Sequence, residues 1–184
     1  MCSEIIHYKT ETEWRNFYGR FRGKRLSAAQ TDALLTEFVK YSLGNISWEE
    51  NPQRKKIKLS EIFDKKAVWL EIGFGGGEHL IQQASLYPDI GFIGCEPYQN
   101  GVAKLMAKLS ANPCQNIKLY DGDVRNIFDV LVKNSISNVF LLYPDPWPKK
   151  KHHRRRFVTQ EFLAPLYEVM KPGSILRIAT DIED

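Results

Sequence analysis

The sequence predicts an α/β protein built on a doubly wound, mostly parallel sheet. Short apolar segments alternate with longer helix-like segments over residues 67–180, which is the pattern of parallel strands joined by crossover helices. The apolar segments are continuous rather than alternating, as expected of strands covered on both faces. The most unusual residues follow these segments directly, and the carboxyl ends of the strands are where such sheets bind ligands.

The elements before the sheet are predicted from caps and charge. Residues 1–25 are polar and basic, and they predict an arm rather than a core element. Ser27 and Gln30 have the spacing of a capping box, so a helix is expected over residues 28–43, ended by Gly44. Residues 45–58 are predicted to form a loop.

The sheet and its helices follow in regular order. Strands are predicted over residues 67–73, 90–96, 116–122, 138–143 and 174–180. Helices are predicted over residues 76–87, 99–110, 125–133 and 154–170, the first of them stopped by Pro88. Residues 181–184 would begin another crossover, so the fold is expected to lack its C-terminal elements.

Composition excludes several classes of protein. No apolar run approaches the ~20 residues needed to span a bilayer, which argues against a membrane protein. The N-terminal residues lack the basic start and apolar stretch of a signal peptide. The three cysteines are scattered without a CxxC pair, so we expect a cytoplasmic protein with no disulfide framework and no zinc site.

The positive charge is concentrated in three places. The formal net charge is only +4, yet basic residues cluster within 15–25, 54–58 and 149–156, the first cluster with aromatic residues interleaved. Each cluster alone is compatible with plain solvated surface. Together they favour a polyanionic partner such as nucleic acid.

A glycine-rich loop follows the first predicted strand of the sheet. Gly73, Gly75 and Gly77 alternate there, allowing a tight turn and close approach to a ligand, although a purely structural turn has the same pattern. A dinucleotide fingerprint would need a glycine at position 78, which is Glu78. Glu71 just before the turn would repel a pyrophosphate but suits a ligand with a positive amino end, such as S-adenosylmethionine.

Two further acids end the next two strands. Glu96 lies 19 residues after Gly77, where a carboxylate can accept hydrogen bonds from both hydroxyls of a ribose. Asp123 ends the third strand and is placed either to accept from an adenine amino group or to cap the helix that begins at Val124. Three acids at three successive strand ends are a more specific signal than any one of them.

The fourth strand ends in the sequence YPDPWPKKKHHRRR. Pro144 and Pro146 restrict the backbone around Asp145, which predicts a carboxylate held in a set direction, although a proline-rich turn is the alternative. Trp147 offers a stacking face. The basic run at residues 149–156 suits phosphate binding. The adjacent histidines would point about 100° apart on a helix, so no metal site is expected.

Several stretches of the chain resemble the tRNA (guanine-N7-)-methyltransferase family, which acts on the variable-loop guanosine of tRNA. They are FYGR, LEIGFGGGEHL, GCEP, DGDV, YPDPWPKKKHHRRR and ATD, and PDPW followed by a basic run is the most specific. The resemblance covers nearly the whole chain. It implies a Rossmann-like class I methyltransferase fold and methyl transfer from S-adenosylmethionine to guanine N7, forming 7-methylguanosine, without a metal.

The resemblance also implies roles for individual residues. Asp145 would be catalytic and would also bind the cofactor, and Lys149 and Asp181 would contact the substrate. The other residues expected at the cofactor, two of them glycines of the loop, are Glu71, Gly73, Gly75, Glu96 and Asp123. The RNA-interacting segment would comprise Lys151, His152, His153, Arg154, Arg155 and Arg156. The implied partner is tRNA, with no DNA or membrane, and the sequence does not distinguish a monomer from a homodimer.

The chain departs from the family pattern in two places. Pro148 stands where some members carry histidine, and the family's Thr-x-Phe-Glu substrate-binding element is missing from this sequence. The predicted domains are a basic N-terminal arm and helix at residues 1–58 and an S-adenosylmethionine-binding methyltransferase domain at residues 59–184, incomplete at its C-terminus.

Two other functions fit parts of the sequence. Methyltransferases acting on exocyclic base amines carry Asp/Asn-Pro-Pro-aromatic at the same strand end, whereas here Trp147 directly follows Asp145-Pro146. An RNA-binding protein that keeps the fold without turnover is the other alternative. The intact acids argue against a lost cofactor site.

Overall fold

The computed structural model describes residues 6–9 and 14–182, with side chains from residue 17 onward. Two short strands, β1 (Ile6–Lys9) and β2 (Trp14–Phe17), pair antiparallel. Two helices follow, α1 (Ala28–Thr36) and α2 (Phe38–Tyr41). The predicted capping box is present, because the Ser27 hydroxyl accepts from the Gln30 amide and the Gln30 side chain accepts from the Ser27 amide.

Five parallel strands form the main sheet, in the order β5-β4-β3-β6-β7. The strands are β3 (Ala67–Ile72), β4 (Ile90–Cys95), β5 (Ile117–Tyr120), β6 (Ile136–Leu142) and β7 (Met170–Ala179). The connecting helices are α3 (Glu78–Leu86), α4 (Gln99–Ala111), α5 (Val124–Val130) and α6 (Gln160–Val169). The predicted doubly wound α/β class is confirmed, and the strand order reverses where β3 lies beside β6.

The sheet separates two hydrophobic cores. On one face Leu70 packs with residues of α5 and α6 such as Ile127 and Leu166. On the other face Phe92 packs with residues of α3 and α4 such as Leu80 and Leu105. Helices therefore cover both faces of the sheet, which is why its strands are continuously apolar. In the described ranges no helix is long and apolar enough to cross a membrane.

Tertiary contacts shorten two of the predicted helices. The helix expected over residues 28–43 is divided at Glu37 and ends before Ser42, which forms a bridge with Leu119 at the edge of the sheet. The helix expected to reach residue 133 ends at Val130, because Leu131 leaves the helix to pair with Ile57. In both cases a residue of the predicted helix is used for strand-like pairing.

Two predictions about the C-terminal part of the sheet are wrong. The helix expected from residue 154 begins at Gln160, and residues Lys150–Arg155 form a 3-10 helix instead. Strand β7 is longer than expected and not covered on both faces: Ile175 and Ile178 are 57% and 40% exposed. The exposure follows from its place at the end of the strand order.

Arg54 fastens the loop at residues 45–58 to the domain. Its buried guanidinium donates to the backbone oxygens of Ile46 at 2.6 Å and Asn126 at 2.7 Å, and it lies 4.6 Å from the centre of the Trp48 ring. The prediction that residues 54–58 form a polyanion-binding cluster is therefore wrong for Arg54. This arginine is a structural residue.

Helix α4 approaches the glycine-rich loop very closely. A Cβ atom added to Gly101 would lie 2.5 Å from the carbonyl oxygen of Gly75. We therefore expect Gly101→Ala to destabilise the fold by about 1–3 kcal/mol through overpacking. Urea denaturation measures this change, and Lys104→Ala on the exposed side of α4 serves as the control. Equal midpoints for both variants would contradict the close approach.

Candidate active site

A cavity of about 350 Å³ opens at the carboxyl ends of β3, β4 and β6. This is the point where the strand order reverses, the usual ligand position in a doubly wound sheet. Apolar residues such as Ile72 and Leu141 form part of its wall. Five of the six residues predicted to bind the cofactor line it: Gly73, Gly75, Glu96, Asp123 and Asp145.

Glu96 is fixed in the cavity wall by backbone amides. One oxygen of its carboxylate accepts from the Gly75 amide at 2.7 Å, and the other accepts from the Tyr98 amide at 2.9 Å. The side chain is buried, which raises the pKa of Glu96, and the two hydrogen bonds oppose that rise. A carboxylate has about four acceptor sites, so Glu96 can also accept hydrogen bonds from a ligand.

Asp145 lies exposed at the rim of the cavity. Its carboxylate makes no hydrogen bond or ion pair with any residue that the structure describes. The backbone is left-handed on either side of it, with φ of 51° at Tyr143 and 40° at Trp147. Such conformations are costly for bulky residues and are concentrated at functional sites.

Asp123 has the capping role that the sequence left open. Its carboxylate accepts from the Arg125 amide at 2.9 Å, at the N-terminus of α5, and it also binds the Arg125 guanidinium. Arg125 is almost fully buried and reaches Glu161 with its other end. The adenine-binding role of Asp123 stays a prediction, because most of this carboxylate is already engaged.

Glu71 does not line the cavity. Its buried carboxylate lies 2.7 Å from Nδ1 of His79 on α3. Burial raises the pKa of Glu71, and the His79 contact opposes the rise. The predicted contact between Glu71 and the cofactor is therefore not supported by this placement and stays a prediction. His79 was not singled out from the sequence.

Some residues of the predicted RNA-interacting segment are exposed, and others contact the turn that carries Asp145. Lys151 and Arg154 are exposed. Arg156 donates to the Pro146 carbonyl at 2.8 Å, and His153 lies 3.2 Å from the Arg156 guanidinium. The segment is therefore partly folded onto the turn that carries Asp145.

Two more members of this segment contact Trp147. The His152 ring meets the Trp147 ring edge-on at 5.8 Å. Desolvation and then the positive charge of Arg155 lower the pKa of His152, so this histidine is neutral at neutral pH. Arg155 stacks against Trp147 and lines the cavity. Two predicted substrate contacts, Lys149 and Asp181, are exposed and do not line it.

Residues 17–19 form a part of the cavity that the sequence did not predict. Phe17, Tyr18 and Gly19 all line it. The residues just after them are fastened to the start of α4, since Gln99 donates its amide to the Phe21 carbonyl and the Gly23 amide donates to the Asn100 side chain, both at 2.8 Å. The FYGR stretch was the available signal. The division of the chain at residue 58 stays a prediction.

No metal centre accompanies these residues in the part of the chain with described placement. There, no group of three or more histidine, cysteine or acidic side chains could hold an ion. The polar groups that line the cavity include two carboxylates available to accept hydrogen bonds from a ligand, Glu96 and Asp145, and the backbone of the glycine loop. This set suits an organic ligand with hydroxyl and cationic groups.

The chain has the fold of the class I methyltransferases. A family model described as "Putative methyltransferase" matches residues 65–184. The aminoglycoside resistance methyltransferase NpmB1 has a similar structure, with a TM-score of 0.52 and 20% identity over 74% of this chain and 63% of that one. The structure of the antibiotic-resistance methyltransferase Kmr gives a TM-score of 0.51 at 16% identity, over 68% of this chain and 66% of that one.

Sequence relatives define the family more narrowly. The tRNA (guanine-N(7)-)-methyltransferase of Ruegeria sp. (strain TM1040) is 55% identical over 93% of this chain and 67% of its own length. The enzyme of the same name from Roseobacter denitrificans is 56% identical over 92% of this chain and 73% of its own length. This chain belongs to the tRNA (guanine-N7-)-methyltransferase family.

The buried pair of Asp123 and Arg125 yields a stability prediction. Asp123→Ala removes the cap of α5 and leaves the buried Arg125 with less compensation, so we expect a decrease of about 3–5 kcal/mol in the free energy of unfolding. Glu161→Ala is the matched control, because the Glu161 side chain is 60% exposed and its removal leaves the Asp123–Arg125 pair in place, so we expect a smaller decrease. Urea denaturation distinguishes the two, and equal decreases would refute the assignment.

Proposed function

We propose that this chain transfers a methyl group from S-adenosylmethionine to N7 of a guanine in the variable loop of tRNA. The observation that carries the proposal is the Asp145 carboxylate at the rim of the cavity, unpaired among the described residues. It lies at the same cavity as the fixed Glu96 carboxylate and next to the exposed cations of the basic segment. Family membership supports the same reaction.

The cavity fits the methyl donor through its own residues. Glu96 keeps acceptor sites for the ribose hydroxyls while Gly75 and Tyr98 hold it in place. Gly73 and Gly75 allow close approach of a ligand, since both have positive φ and open space where a Cβ would stand. When bound, S-adenosylmethionine supplies a methyl group on a positively charged sulfur.

Asp145 would act on the base rather than as a proton acceptor for the reaction. Guanine N7 has a lone pair and no proton to lose, so its attack on a methyl group requires no general base. The Asp145 carboxylate would accept hydrogen bonds from N1 and N2 of guanine and direct N7 toward the cavity. Proximity and alignment then supply most of the acceleration. The negative charge of Asp145 also stabilises positive charge that develops on the base.

The RNA would be held outside the cavity. Lys151 and Arg154 are exposed in the segment that follows the Asp145 turn, and exposed cations bind phosphates. Lys149 and Asp181 are proposed to contact the substrate from the same surface. The domain at residues 59–184 would carry the chemistry.

The direct test is transfer of a labelled methyl group from S-adenosylmethionine to an unmodified tRNA transcript, with the modified position mapped. We expect label at N7 of the variable-loop guanine. Label on an exocyclic amine would favour the alternative class of base methyltransferase. Intact RNA and cofactor binding with no label would favour an RNA-binding protein without turnover and would contradict the proposal.

Asp145→Asn tests the catalytic role. The amide keeps the size of the side chain but removes the charge and one acceptor, so we expect cofactor affinity within a few-fold and turnover lower by ~100-fold or more. Asp89→Asn replaces an exposed acid just before β4, at the amino ends of the strands and away from the cavity; it is the control and should keep full turnover. Near-normal turnover of Asp145→Asn would remove this residue from the mechanism.

The basic segment predicts a specific salt dependence. Replacing Lys151 and Arg154 together by alanine should weaken RNA binding. It should also lower the log–log slope against salt by ~0.7–0.9 for each phosphate that the protein no longer neutralises. Lys104→Ala combined with Lys171→Ala removes the same charge from exposed positions away from the segment. Identical slopes for the two double variants would assign Lys151 and Arg154 to plain surface.

A further inference from the structure

Arg155 is stacked between two aromatic rings at the cavity. Its guanidinium carbon lies 4.5 Å from the centre of the Tyr18 ring and 4.9 Å from the centre of the Trp147 ring. All three residues line the cavity. Planar guanidinium groups bind aromatic faces in this way by cation–π attraction and stacking.

The partial burial of Arg155 distinguishes it from an arginine that is free to bind phosphate. Its Nε atom is buried and has no hydrogen-bond partner among the described residues. Arginines that bind phosphate present their donors to solvent for bidentate contact. The neighbouring Arg154 is exposed as expected of such a residue. The two adjacent arginines therefore differ in exposure: Arg155 is half-buried, whereas Arg154 is exposed.

The stack joins two segments that are far apart in the sequence. Tyr18 directly follows β2, whereas Trp147 and Arg155 lie between β6 and α6. The first segment is attached to α4 through the Gln99 amide, and the second is held in its fold by the hydrogen bond from Arg156 to Pro146. The Tyr18–Arg155–Trp147 stack is where the two segments meet at the cavity.

We propose that Tyr18, Arg155 and Trp147 form a clamp that retains the cofactor before RNA binds. The proposal rests on the proposed function, because it assigns S-adenosylmethionine to the cavity. It makes residues 17–19 part of the cofactor site rather than of an RNA-binding arm. It also makes Arg155 a positioning residue of the cofactor site. Closure over the cavity excludes water and restricts the ligand to one orientation.

The clamp is tested by cofactor affinity in the absence of RNA. The probe is S-adenosylhomocysteine, measured by titration calorimetry on the full chain. Arg155→Ala should weaken its binding by about 5- to 30-fold, since the substitution removes two cation–π interactions. Arg155→Lys should be intermediate, because an ammonium keeps the charge but not the planar face. Arg154→Ala removes the same charge at the adjacent, exposed position and should leave the affinity for S-adenosylhomocysteine unchanged.

Coupling between the residues separates a clamp from independent interactions. Tyr18→Ala should weaken S-adenosylhomocysteine binding as Arg155→Ala does. In the double variant the two effects should be much less than additive, because either substitution already breaks the stack. Fully additive effects would overturn the clamp. Thermal unfolding of each variant shows whether it is folded, and Arg155→Lys keeps the test valid if an alanine variant is not.

Failure of the clamp and failure of the proposed function give different results. If the wild-type chain binds S-adenosylhomocysteine and Arg155→Ala binds it equally well but has a lower RNA affinity, Arg155 is an RNA-binding residue and the clamp is wrong. If the wild-type chain does not bind S-adenosylhomocysteine at all, the proposed function itself fails, and the clamp fails with it.

Discussion

The hydrogen bonds of the Glu96 carboxylate hold together the loops from which the cavity is built. One bond comes from the glycine loop after β3, and the other comes from Tyr98, immediately before α4. Burial raises the pKa of this acid above its ordinary value. An acid with a raised pKa in the folded state stabilises the fold at low pH, and that contribution is lost as pH rises through the folded pKa. Ionisation of the buried Glu96 therefore costs stability, and the ionised side chain provides a fixed acceptor for a ligand.

The parts of the fold that the sequence predicted well depend on local pattern. Continuous apolar runs located the strands of the main sheet, and acids directly after those runs located Glu96, Asp123 and Asp145 at one edge. Glu71 differs from these acids, because it lies within β3 and does not line the cavity, whereas Ile72 and Gly73 do. Successive residues of a strand face opposite sides of the sheet, and Leu70 and Ile72 belong to the core on one side. Glu71 therefore faces the other side of the sheet, where its carboxylate contacts His79 on α3.

The parts that the sequence did not predict depend on contacts between distant residues. The hydrogen bond between Gly23 and Asn100 joins residues 77 positions apart, and the spacing of apolar residues along the chain does not predict such a pairing. The same reason explains the basic segment. Its composition indicated a cationic surface, yet whether an arginine points to solvent or into the cavity depends on which rings are nearby. Arg155 lies at the cavity because it stacks on the rings of Tyr18 and Trp147, and neither residue is its neighbour in sequence.

The charges at the cavity affect how tightly a methyl donor and its product would bind. Glu96 and Asp145 are close enough for the charge of Asp145 to contribute to the raised pKa of Glu96, so two like charges share one cavity. A ligand with positive charge relieves this repulsion, whereas a neutral one does not. Methyl transfer removes the positive charge from the donor sulfur, and the same carboxylates then attract the product less strongly. Two carboxylates at one cavity would therefore bind the cationic donor more tightly than the product, which is the direction that turnover requires.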